Sequence, residues 1–218
     1  MSPFRTAVAL LLLAAMSATA TPPSPPSPAD SAAPAHFLSQ TEATNLFEQA
    51  VSRGLPRHQL LLVVDTALQR GALVSRRGTI REYPLSTSKF GTGNASGSNQ
   101  TPLGWHKVQE RFGADAAPGS VFVSRRATGR VVPPEGWRAP SPAEDLVLTR
   151  ILWLVGLEPG VNSGRGIDSH ERCIYIHGTN QEQLLGSPAS HGCIRLSNAD
   201  VVHLFDFTEG ATLFCFIR

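Results

Sequence analysis

From Gln59 onward the chain is cut into short apolar runs separated by glycine, proline and polar turns, and that punctuation constrains the fold more than any other feature. Leu60 to Val64 is uninterruptedly apolar, and Ala72 to Ser75 and Ile80 to Leu85 follow it across turns at Gly71 and Arg77-Gly78. Runs of this length, bounded in this way, read as an antiparallel meander. Trp105 to Phe112 alternates, Ser120 to Ser124 reads as a strand, and Ala211 to Ile217 closes the sheet. Asp145 to Leu157 is apolar at nearly every second or third position, which fits helix or strand by period, and its β-branched residues favour a buried strand. Helices are expected only at the flanks. Gln40 to Arg53 places Leu46, Phe47, Ala50 and Val51 on one face, with Ser39 or Thr41 as cap and Gly54-Leu55-Pro56 as stop. Ala199 to Phe207 follows a cap at Ser197 or Asn198, with Asp200 in its first turn. The expectation is a mostly β domain, an antiparallel sandwich or partly closed barrel with short peripheral helices.

The 218 residues, 41% of them apolar, suffice for one ordinary core. Residues 1–20 are not expected to join it. Arg5, the apolar run Ala7 to Met16 and Ala18-Thr19-Ala20 have the form of a secretory signal peptide, and a run of about ten apolar residues is half of what a membrane span requires. No cysteine follows the cleavage site, so no lipid anchor is expected there. Residues 21–35, rich in Pro, Ser and Ala, read as a disordered tether. Residues 36–58 then hold the first helix and a linker, and 59–218 the main domain. The expected product is an exported, periplasmic or cell-wall-space monomer without a membrane anchor. A net charge of +2 excludes nucleic acid binding by charge.

The chemistry is concentrated in Arg172 to Arg195, RCIYIHGTNQEQLLGSPASHGCIR. Residues 173–176 read as a strand that delivers His177 at its end, where Gly178 breaks it. A polar turn or short helix near Gln181 to Leu185 and a turn at Gly186 and Pro188 lead into Ser190-His191-Gly192-Cys193. A thiol titrates near ~8.5 and needs an imidazole beside it to become a thiolate at neutral pH. His177 and His191 are both candidates for that imidazole. His191 shares a face with Cys193 in extended backbone, and His177 can approach the sulfur from outside its loop. Gly192 lets a substrate carbonyl approach the backbone amides, as an oxyanion hole requires.

The pair HGT and SHGCIR, Ser190 to Arg195, resembles the signature of the L,D-transpeptidase catalytic domain, the YkuD-like family of peptidoglycan cross-linking enzymes. Thr101-Pro102-Leu103-Gly104 is similar to the family's TPxG element, and the span from about Gln59 to Arg218 follows the family's order. The resemblance implies that Cys193 is the nucleophile, His177 the proton donor and acceptor that holds it as a thiolate, and Gly178 the residue whose carbonyl orients that imidazole. Ser190, His191 and Gly192 then form the substrate wall and oxyanion region, and Arg195 a cation beneath the site. Arg195 stands where a well-known version of the motif has Asn. The resemblance further implies attack on the third residue of a peptidoglycan stem tetrapeptide, loss of the terminal D-alanine and transfer to an amine. The acceptor is a diaminopimelate side chain, a lipoprotein lysine or a free D-amino acid. No cofactor is implied.

Three other readings stand beside this one. A hydrolase, or L,D-carboxypeptidase, would share the nucleophile, base and oxyanion hole. A wall-binding module would have no need of a thiol. Zinc would need paired ligand spacing that His177, His191 and Cys193 lack, so no metal is expected. Cys173 and Cys215 sit in strand readings, and two buried apolar residues are preferred to a disulfide. The proline-rich stretch Gly129 to Pro142, with Trp137, reads as a lid or cleft wall within the irregular span 113–143. Ser86 to Thr101 reads as a polar loop that fixes no core. Arg165 and His170 could reach the site, with solvent exposure preferred for each.

Overall fold

The structure, a computed structural model, describes residues 37–138 and 144–218. The signal-peptide and tether readings lie outside the described residues, as does the end of the proline-rich stretch, residues 139–142. The first helix, α1 (Gln40–Ser52), is capped by Ser39, whose hydroxyl accepts from the Glu42 amide at 3.2 Å. It buries Ala43, Leu46, Phe47 and Ala50.

A meander follows, β1 (Leu60–Asp65), β2 (Arg70–Ser75) and β3 (Gly78–Pro84). Then come β4 (Gly104–Phe112), the hairpin β5 (Ser120–Val123) and β6 (Arg126–Val131), and β7 (Val147–Gly156). The chain ends with β8 (Tyr175–Gly178), β9 (Ile194–Leu196), the helix α2 (Asn198–Phe207) and β10 (Leu213–Ile217). The domain is mostly β, as expected. Because β1 pairs parallel with β10, and β8 with β9, the sheet is mixed rather than wholly antiparallel.

The main strand order is β3-β2-β1-β10-β4-β7, after which β8 and β9 continue from β7 while the β5–β6 hairpin branches off it. The two ends approach each other at one antiparallel bridge: Ser86 and Arg195 exchange amide-to-carbonyl bonds of 3.0 and 2.9 Å. Beyond that bridge the mixed sheet stays unclosed, so the expected barrel is not completed. Leu62 and Val64 of β1 face the inner core with Leu152, Ile176, Ile194 and Leu204, whereas Leu61 and Val63 pack with Phe47 and Ala50 of α1. A strand buried on both faces has to be apolar throughout, which is why the Leu60–Val64 run shows no alternation.

Two sequence readings change here. The run 173–176 is not all strand: Cys173 lies in the preceding turn at φ +55°, partly exposed, and β8 begins at Tyr175 with His177 inside it. Cys215 is fully buried on β10 and all three cysteines are free thiols, so no disulfide joins Cys173 to Cys215. Ser86 to Thr101 also does more than connect. Its first residues zip onto the chain before Cys193, with Ala189 and Ser190 amides donating to the Thr87 carbonyl at 2.8 and 2.9 Å. Ser86, Thr87, Ser88 and Thr101 are all buried.

His106 on β4 is buried with Nδ1 3.0 Å from the Gly104 carbonyl and Nε2 3.0 Å from the Ser169 hydroxyl. Burial pulls its pKa from 6.5 down to about 4, outweighing the carbonyl bond that pulls it up. Below its ordinary titration point the unfolded chain takes a proton that the folded one refuses, so stability is full above about pH 6.5 and falls as the pH drops towards 4. Melting followed from pH 7 to 4.5 should show this decline, and His106→Gln should flatten part of it. A melting temperature that does not respond to pH over this range would contradict the burial argument.

Candidate active site

His177 and Cys193 reach the same place from opposite ends of the 24-residue motif because β8 and β9 pair in parallel, with His177 in register with Arg195. Both line a cavity of about 160 Å³ together with Asp145, Val147, Ser190, His191 and Arg195. His177 is 3% exposed, and its Nδ1 lies 2.6 Å from the Gly178 carbonyl. A carbonyl only accepts, so Nδ1 carries the proton and Nε2 is left as the basic nitrogen of the ring. Among the described residues Nε2 has no hydrogen-bond partner.

Gly178 is glycine for a steric reason. A Cβ there would lie 2.4 Å from Asn198 Oδ1 and 2.9 Å from the Leu148 carbonyl. Asn198 is the hub of a buried polar knot: its side-chain amide donates to the Thr179 carbonyl at 2.7 Å and to Glu182 at 2.9 Å, and its Oδ1 accepts from the Thr149 hydroxyl at 2.5 Å. Thr149 reaches it from a bulge. Leu148 pairs with Gly178 and Ile151 with His177, leaving Thr149 and Arg150 unmatched, and Thr149 has φ +72°, a costly conformation for a β-branched residue. The sequence reading missed Thr149 and Asn198, and no residue pattern signals either role.

The Cys193 sulfur sits between two backbone groups. It accepts from the Tyr175 amide at 3.4 Å and donates to the Cys173 carbonyl at 3.5 Å, a contact that requires the thiol proton. Burial pushes its pKa from 9.0 up to about 11, with the Tyr175 amide and Arg195 pulling the other way. Burial likewise pulls His177 down to about 4, against the Gly178 bond, with Arg195 lowering it further and Asp145 raising it. Both directions favour a neutral thiol beside a neutral imidazole over the standing thiolate the motif implied, because charge is poorly solvated where these groups lie.

Arg195 is 1% exposed and is held by Asp145 and by Gln181 Oε1, the latter at 2.8 Å. It lines the same cavity as His177 and Cys193. His191 sits at the cavity mouth, half exposed, with Nδ1 3.0 Å from Asp145 and its ring against Phe90. The Ser190 hydroxyl donates to the Cys193 carbonyl at 2.6 Å and accepts from the Gly192 amide at 3.2 Å. Gly192, at φ +123°, thus has its N–H engaged within the loop. Thr101 ties the TPLG element to this loop by donating to the Gly192 carbonyl at 3.1 Å. His170 lies elsewhere, stacked on Trp153 and paired with Glu110 at 3.3 Å, and Arg165 is exposed.

A family model described as the L,D-transpeptidase catalytic domain, YkuD, matches residues 59–214. The chain belongs to the L,D-transpeptidase catalytic-domain family. YqjB of Bacillus subtilis (strain 168), named as an L,D-transpeptidase, is 60% identical over 30 residues, 14% of this chain and 17% of that protein. Among solved structures, the L,D-transpeptidase (residues 123–326) from Xylanimonas cellulosilytica DSM 15894 aligns at 20% identity and a TM-score of 0.44, over 80% of this chain and 68% of that one. An L,D-transpeptidase from Mycobacterium smegmatis aligns at 18% identity and 0.43, over 73% and 58%. The chain thus spans less than a fifth of the curated relative it matches.

In this L,D-transpeptidase domain the knot behind Gly178 makes a specific demand. Gly178→Ala should force strand β8 away from Asn198 and Leu148, destabilising the fold by about 1–3 kcal/mol, as overpacking of a tight core does. Denaturant unfolding checks this, and an unchanged midpoint would show that Asn198 has room to yield.

Proposed function

We propose that this protein is an exported L,D-transpeptidase that carries peptidoglycan stem peptides as a thioester on Cys193. The observation that supports it is the shared cavity of Cys193 and His177, with the imidazole tautomer fixed by Gly178 so that Nε2 is basic.

The donor's third-residue carbonyl enters beside the sulfur. The thiol proton leaves the Cys173 carbonyl and passes to Nε2. The S–C bond forms as that proton moves, and the carbonyl electron pair goes to its oxygen. Imidazolium appears only now, and the Asp145 carboxylate offsets part of its cost in a site that Arg195 keeps positive. His177 then returns the proton to the departing nitrogen of D-alanine, the carbonyl re-forms, and the thioester remains. An amine acceptor attacks it, loses a proton to Nε2, and the thiol leaves with that proton. The acceptor is another stem side chain, a lipoprotein lysine or a D-amino acid. With water in its place the same steps give carboxypeptidase action.

Mass spectrometry of the mature protein mixed with a disaccharide tetrapeptide tests this. The wild type should gain the substrate mass less one alanine, and Cys193→Ala should gain nothing. Dimeric products mean cross-linking, and tripeptide alone means hydrolysis. Binding without any adduct in the wild type would replace the enzyme by a wall-binding module. His177→Gln should slow adduct formation by about 10²-fold or more, the usual contribution of a general base, while His191→Gln should cost less. The reverse ranking would assign the base to His191.

A further inference from the structure

At the tip of the β5–β6 hairpin, Ser124 and Arg125 both have positive φ, +48° and +67°. A two-residue hairpin turn of this kind ordinarily uses Asn-Gly, because other side chains resist left-handed backbone. Here the strained turn carries an arginine and folds its side chain back across the sheet. The guanidinium lies 4.2 Å from the centre of the Trp153 ring, and its Nη1 donates to the Tyr175 hydroxyl at 3.0 Å and approaches Cys173 Sγ at 3.9 Å. Both of those residues touch the nucleophile, Tyr175 through its amide and Cys173 through its carbonyl. Arg125 is therefore one residue removed from the Cys193 sulfur.

This cation has no ion-pair partner among the described residues, and Glu110 acts on it only from a distance. Most of the arginines around it have fixed oxygen partners: Arg195 has Asp145, Arg150 the Ala116 and Thr149 carbonyls, and Arg172 the Gly93 and Gln100 carbonyls. Among the described residues no carboxylate lies within ion-pair distance of Arg125, although Asp115 lines the same open groove of about 380 Å³ with Phe112 and Phe122. Ring stacking fixes the plane of a guanidinium while leaving edge N–H groups free, which is the presentation that suits a carboxylate. Trp153, Tyr175 and Phe122 pack in one buried apolar cluster against which Cys173 and Cys193 rest, so the link between the Arg125 groove and the Cys193 sulfur runs through Tyr175 and Cys173.

We propose that Arg125 is a specificity-determining residue that receives a carboxylate of the acyl donor. The inference rests on the stem-peptide reading above. Two carboxylates of the donor have this chemistry, the terminal one on the leaving residue and one at the end of the third residue's side chain. The binding step needs no proton transfer and no bond change.

Calorimetric titration of the Cys193→Ala protein with a free tetrapeptide, and with the same peptide amidated at one carboxylate or the other, tests it without turnover. Capping the recognised carboxylate should weaken binding about tenfold, the scale of one charge-assisted contact. Adding Arg125→Gln should weaken the free peptide by a similar factor and abolish the difference between free and capped forms, and Arg125→Lys should recover part of the loss. The capped position identifies which carboxylate is read. If capping leaves affinity unchanged, if Arg125→Gln preserves the free-to-capped ratio, or if no peptide binds at all, the assignment is wrong. Peptide binding that depends on Arg125, in a protein whose wild type never forms a thioester, would instead keep the carboxylate site and overturn the enzyme.

Discussion

The site depends on a single short bond, the 2.6 Å contact from His177 Nδ1 to the carbonyl of the next residue. It chooses the tautomer, turns Nε2 into the free base, and fixes the ring against rotation. A side chain and its neighbouring carbonyl meet this way only if the backbone at Gly178 is held, and the fold holds it from three sides. Leu148 closes from β7, Asn198 from the first turn of α2, and the Thr149 bulge locks Asn198 in place. Backbone strain at Thr149 is thus stored beside β8 rather than in it.

The electrostatics follow from the same packing. Burial raises the pKa of the thiol and lowers that of the imidazole, which favours the uncharged form of each. Arg195 and Asp145 lie underneath as a paired charge that partly cancels itself, which leaves Arg195 free to favour negative charge on the sulfur while Asp145 favours positive charge on the ring. A buried ion pair of this type stabilises little by itself. In the proposed reaction it sets Asp145 beside the imidazolium and Arg195 beside the sulfur as charge develops.

Much of this was legible in the residues, and the rest was hidden for definite reasons. The two-sided burial of β1 showed in its unbroken apolar run, and each helix start was marked by two candidate caps, of which Ser39 and Ser197 fill the role. Cys193 and His177 stood out by chemistry and by family resemblance. Strand β9 did not, because three residues with a buried arginine in the middle carry no period, and its parallel partner is 18 residues away at Ile176. The hairpin strand β6, with every residue exposed, has no apolar signal either. Left-handed backbone at Thr149 and Arg125 is imposed by tertiary contacts and cannot be read from residue types that avoid it. Cys173 was misread as strand because its apolar neighbours continue the run into the turn.

The central claim is that Cys193 rests as a thiol and loses its proton only during attack. The pH dependence of its alkylation by iodoacetamide, followed by peptide mapping to separate it from Cys173 and Cys215, tests that directly. The rate at Cys193 should be low at pH 7 and climb steadily towards pH 11, with no plateau at lower pH. A fast rate already level between pH 6 and 8, lost in His177→Gln, would mean a standing thiolate and imidazolium and would contradict the account.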